Sequence, residues 1–137
     1  MPHFTKAALE TSLAPASVDY IHMPALGGLR KPRPESVNTG WRNQGFRGYA
    51  DYMQEQSFWE AIDELMVLGA SRRTAIMCAE ALPWRCHRTL TSDALTIKGV
   101  EVRHITGKTA AATHMLSPFA LVEGGRITYP EPDRLPI

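Results

Sequence analysis

Residues 74–105 read TAIMCAEALPWRCHRTLTSDALTIKGVEVRHI, and the parsing of this stretch decides the fold class. It opens on a short apolar run, residues 74–78, whose lack of alternation suits a strand covered on both faces. Residues 86–98 follow, with Leu90, Ala94 and Ile97 on one helical face and Gly99 as a stop. Residues 100–105 are rich in β-branched side chains and read as a second strand. Strand, helix and strand joined by loops make a βαβ unit, for which parallel strands and a right-handed crossover are expected.

The flanking segments extend this unit. Phe4 and Thr5 read as a hydrophobic staple and N-cap, with Leu9 to meet Phe4, for a helix Lys6–Leu13. Residues 18–22 are short, rich in β-formers and closed by Pro24, which predicts a third strand. Tyr49, Tyr52 and Met53 suggest one or two helical turns. Ser57 and Glu60 form a capping-box pattern ahead of the apolar stripe Phe58, Ile62, Leu65 and Met66, with Gly69 as the end of that helix. From residue 51 to 70 there are five acids and no base, which reads as a solvated face. Two short apolar runs around Gly124 and Gly125 predict a hairpin. The expectation is one α/β domain over residues 1–137, with a mostly parallel sheet, flanking helices and a small C-terminal β-hairpin.

Length and composition fit that expectation. The chain has 137 residues, 44% hydrophobic and 21% charged, which excludes disorder, collagen-like repeats and coiled coil as whole-chain descriptions. Lys plus Arg number 15 against 14 Asp plus Glu, so the molecule as a whole is no polyelectrolyte and any basic site is local. No signal-peptide pattern and no run of 18 apolar residues occurs, so the expected location is cytoplasmic, with no membrane partner.

In a parallel sheet, ligands bind beyond the carboxyl ends of the strands. The three expected strands exit at His22, Cys78 and His104. Residues 81–85 then deliver Cys86, His87 and Arg88 at the first turn of a helix, where unpaired N–H groups favour an anion and lower a thiol pKa. Cys86 is the sharper nucleophile or redox thiol, with Cys78 a second candidate that better suits plain packing. Glu80 and His87 are candidate proton handlers, and Arg88 and Arg85 candidate anion contacts. The pair Cys78 and Cys86 beside His87 is open to thiol chemistry, metal binding or packing, with a structural disulfide least favoured. The spacing C-x7-C-H is not a zinc-finger spacing, so neither metal nor cofactor is expected. His3 and His114 read as isolated surface or packing histidines.

Residues 23–48 form a long Gly, Pro and Arg-rich loop with five basic residues against one acid. Arg42, Arg47 and Trp41, with Phe46, combine phosphate contacts and stacking surfaces. The loop therefore reads either as a nucleic-acid-binding element or as a lid whose arginines hold a small anionic ligand. A third possibility is that all of these motifs are structural.

The motifs Met77-Cys78-Ala79-Glu80 and Pro83-Trp84-Arg85-Cys86-His87-Arg88 resemble those of the bacterial family called domain of unknown function 488. The likeness continues in His22-Met23-Pro24-Ala25-Leu26-Gly27-Gly28, Gly40-Trp41-Arg42-Asn43, residues 46–53 including Tyr49, and residues 99–105. It implies a small α/β domain whose Cys-Ala-Glu and Cys-His-Arg elements share one pocket with the basic loop, adding His22, Asn43 and Tyr49 to the candidate contacts. It names no substrate. Members begin with a leading βαβ unit that this sequence lacks, so the chain reads as N-terminally incomplete relative to the family. That predicts exposed apolar surface, reduced stability and self-association.

Overall fold

The computed structural model describes residues 5–78 and 86–131. Its elements are four α-helices and two small antiparallel two-stranded sheets. Helix α1 spans Lys6–Leu13, and the Thr5 hydroxyl caps it by accepting from Ala8 N at 3.2 Å. Helix α2 spans Gln44–Tyr52, α3 Gln56–Ser71 and α4 Arg88–Ile97. Strands β1 (Arg103–His104) and β2 (Ala112–Thr113) pair antiparallel, as do β3 (Leu121–Glu123) and β4 (Arg126–Thr128).

Helices α2, α3 and α4 build the core. Tyr49, Phe58, Ile62 and Leu90 are fully buried where these helices meet. The β3–β4 hairpin closes one side by inserting Ile127 and Tyr129. Gly124 and Gly125, both at positive φ, supply the two-residue turn whose twist suits a hairpin. Gln54 donates to Ile127 O at 2.8 Å and accepts, through its own carbonyl, from Arg126 at 2.9 Å, which ties the hairpin to α2.

The mostly parallel sheet is not formed. Among the described residues, 18–22 and 74–78 pair with no strand, and of residues 100–105 only Arg103 and His104 pair, antiparallel to β2. A strand buried on both faces needs neighbours for its backbone groups and a layer on each side. Here Val18, Ile21, Met77 and Ile105 are each about half exposed or more. An apolar run specifies that a segment can be buried; it does not specify the partner that buries it.

Three local expectations are also corrected. The expected loop over residues 23–48 yields its last turns to α2, which starts at Gln44 because Asn43 caps it, Oδ1 accepting from Phe46 N at 3.1 Å. Ser57 and Glu60 make no capping box: α3 starts at Gln56, two residues before the start a Ser57 cap would set, and Gln56 rather than Ser57 meets Glu60, at 3.1 Å. That helix runs past Gly69 to Ser71.

The rest of the basic stretch is ordered by one carboxylate. Asp51, which the acidic run placed in solvent, is buried. Its oxygens accept from Arg33 N at 2.7 Å, Ser36 Oγ at 2.6 Å and Asn38 Nδ2 at 2.7 Å. Gly48 lies so close to the Arg30 carbonyl that any Cβ there would collide with backbone. The loop charges are largely engaged: the Arg30 guanidinium lies 3.7 Å over the Tyr52 ring, and Arg33 pairs with Glu55 at 3.2 Å. Arg47 Nε donates to Trp41 O at 3.0 Å.

Candidate functional site

Helix α4 begins where the sequence concentrates its chemistry. Arg88, Thr91, Ser92 and Leu95 lie on faces that meet the site, while Leu90 and Ala94 anchor the helix in the core. Cys86 precedes the helix and is only 5% exposed, so only small groups reach its sulfur directly. Cys78 is half-buried at the end of the extended segment 74–78.

The two thiols meet, with Cys78 Sγ 2.7 Å from Cys86 Sγ. His87 Nδ1 lies 3.6 Å from the Cys86 sulfur, and Arg88 N donates to it at 3.4 Å. Burial pushes the Cys86 pKa up, but hydrogen bonds from His87, Cys78 and both the backbone and side chain of Arg88 outweigh it and bring the thiol down to about 6. At neutral pH the sulfur is then a thiolate.

The His87 ring is held from two sides. Tyr49 packs against it at 4.9 Å between centroids, and Gly28 leaves room for it, since a Cβ there would come within 2.9 Å of Nδ1. Tyr49 is in turn fixed by donating to Leu26 O at 2.9 Å and by its 2.9 Å contact with Thr91 Oγ1. Burial, the largest influence, pushes its phenol upward, so it stays neutral. Gly28, absent from the expected contacts, was legible only as part of the Gly27-Gly28 pair.

The expected site residues therefore separate into groups. Cys78, Cys86, His87, Arg88 and Tyr49 come together. Glu80 and Arg85 lie outside the described residues. Asn43 is a helix cap, and His22 and Arg42 are exposed. Trp41 meets Phe46 at 5.1 Å and Phe119 at 4.8 Å, edge-on, so its aromatic surface is engaged inside the protein. Its Nε1 is buried with no hydrogen-bond partner among the described residues.

A cavity of about 490 Å3 adjoins α4 between α3 and the extended segments 74–76 and 100–105. Its wall is mainly apolar, including Leu65, Leu95 and Val102, with Thr74, Arg88, Ser92, Glu101, Arg103 and His104 as polar members. Arg88 thus borders both the thiol pair and the cavity. Two further residues were missed by the sequence reading. Asp93 is wholly buried, and His114, read as isolated, is buried and bonded to it at 2.6 Å. The available signal was Asp93 itself, a carboxylate between Leu90 and Ala94 in the apolar stripe of α4.

Among the described residues no three or more His, Cys, Asp and Glu side chains are grouped to hold a metal ion. No described helix is long and apolar enough to cross a membrane. Comparison with curated proteins and with solved structures gave no match. The family model described as "Domain of unknown function DUF488" matches residues 1–95, a span that takes in α1 to α3, both cysteines and most of α4. By that match over more than half its length, the chain belongs to the DUF488 family.

Proposed function

We propose that this chain works by thiol chemistry, with Cys86 and Cys78 acting as one dithiol and Arg88 contacting an anionic group on the ligand. The observation that carries the reading is the contact set of the Cys86 sulfur: Cys78 at 2.7 Å, His87 at 3.6 Å and the Arg88 N–H at 3.4 Å. These groups favour a thiolate, the form that attacks carbon or sulfur electrophiles. Against a disulfide, the Cys86 sulfur bonds to one substrate sulfur and the other leaves as a thiolate. Cys78, whose proton passes to the departed thiolate, then displaces the bound half, so the protein ends with a Cys78–Cys86 disulfide and the substrate as one thiol and one thiolate. Burial of Cys86 restricts the reaction to small or extended substrates that enter beside the half-buried Cys78.

The test is iodoacetamide alkylation at pH 7 against a free thiol in the same tube, with each cysteine followed by mass spectrometry. Cys86 is expected to outpace the free thiol, and Cys78→Ser, which weakens the contact to its sulfur, to slow it. Alkylation of Cys86 no faster than the free thiol removes the claim. The anion contact is tested separately: inorganic phosphate should raise the melting temperature of the parent and not of Arg88→Gln, and an equal shift in both overturns it.

A further inference from the structure

The Asp93 carboxylate of α4 accepts four hydrogen bonds. Its Oδ2 accepts from Ser117 Oγ at 2.7 Å and Tyr129 OH at 2.8 Å, and its Oδ1 from Ser117 N at 3.2 Å and His114 Nε2 at 2.6 Å. A carboxylate is an acceptor only, so the shared proton of the last pair sits on His114 Nε2. In a neutral imidazole the other nitrogen is then an acceptor, and His114 Nδ1 receives Nε2–H of His104 at 2.7 Å. Passing this reasoning one ring further leaves the lone pair of His104 on Nδ1. Among the described residues that nitrogen has no hydrogen-bond partner, and His104 lines the 490 Å3 cavity.

We propose that His104 is a general base on the wall of this cavity, fixed in one tautomer by the Asp93–His114 relay, and that the cavity takes a small, mainly apolar molecule bearing one weakly acidic O–H. The apolar wall suits the body of such a ligand, and Ser92 and Arg88 suit its polar end. In the step itself the ligand O–H bond breaks, the proton bonds to His104 Nδ1, and the electron pair stays on oxygen as an anion beside Arg88. His114 and Asp93 are positioning residues. This assignment goes beyond the dithiol and does not depend on it.

The groups facing His104 are Arg88 and Asp93 from α4 and His114 beside β2, while Glu101 and Arg103 on its own segment pair with each other at 3.0 Å. Burial, then repulsion from His114 once that ring is itself protonated and from Arg88, outweigh the attraction of Asp93 and hold the His104 pKa below its ordinary value. The ring is therefore neutral, and able to accept a proton, across the physiological range.

Diethyl pyrocarbonate, a small electrophile that bonds to an unprotonated imidazole nitrogen with loss of ethyl carbonate, tests the assignment residue by residue when sites are mapped by mass spectrometry. His104 is expected to react several-fold faster than the exposed His22, and 4-nitrophenol to slow His104 without slowing His22. His114→Leu should bring His104 down to the His22 rate, and His114→Gln, which keeps both a donor toward Asp93 and an acceptor toward His104, should restore it. A His104 rate no higher than that of His22, equal rates in the Leu and Gln variants, or no selective protection by 4-nitrophenol would overturn the proposal.

Discussion

The two sides of α4 are built by different rules. On the side of α2 and the β3–β4 hairpin, Asn38, His114, Ser117 and Tyr129 are joined into networks around Asp51 and Asp93, and Tyr49, Met53, Ile127 and Tyr129 are buried, although Leu121 and Val122 of β3 face outward. Toward residues 74–78 and 100–105, apolar side chains such as Met77 (49% exposed) and Ile105 (69%) face outward and the segments lack a continuous ladder. The first side resists change because each removed partner strands several others in a low-dielectric interior. The second tolerates change and holds the cavity.

The sharpest way to break this contrast is Asp93→Ala. It leaves Tyr129 OH, Ser117 and His114 without their acceptor in the core, and a loss of about 3–5 kcal/mol in a urea melt is expected. Next comes Gly48→Ala, whose added methyl meets the Arg30 backbone and should cost about 1–3 kcal/mol or more by the same measurement. Asn43→Ala removes the α2 cap and should cost about 1 kcal/mol. On the other side, Ile105→Ser should change stability by no more than about 0.5 kcal/mol. A large loss there would mean that this surface is covered in solution, and light scattering on the same sample would show by what.

Much of the helical side was legible in the sequence. Thr5 marked the start of α1, the spacing of Phe58, Ile62 and Leu65 gave the buried face of α3, and Gly124-Gly125 marked a turn. These signals are local, and their physics is complete within a few residues. Asn43 was hidden because it opens a helix inside a Gly and Arg-rich stretch with no apolar period. Asp51 and Asp93 were hidden because a helical carboxylate ordinarily faces water, and the donors that justify their burial lie 13 to 36 residues away. The parallel sheet failed for the same reason in reverse, since strand-forming runs are local but strand partners are not. At the candidate site, Cys86 and His87 were readable as residues at the start of α4, whereas the contact of Cys78 with Cys86 was not, since the parallel sheet whose edge was to place Cys78 is not formed. The Asp93–His114–His104 line was not readable either, because three segments had to fold to create it.

The sulfur titration links the fold to the chemistry. With its pKa lowered from 9.0 to about 6, Cys86 favours the folded state most where it is ionised, so its contribution is complete above pH 9 and is lost as pH falls through 6. The melting-temperature difference between the parent and Cys86→Ser should therefore widen from pH 6 to pH 9. The most direct measurement is the thiolate absorbance of the reduced protein in the ultraviolet, titrated with acid and corrected by the Cys86→Ser variant. A midpoint near 6 is the result this account predicts, and a midpoint near the ordinary thiol value of 9.0 would contradict it.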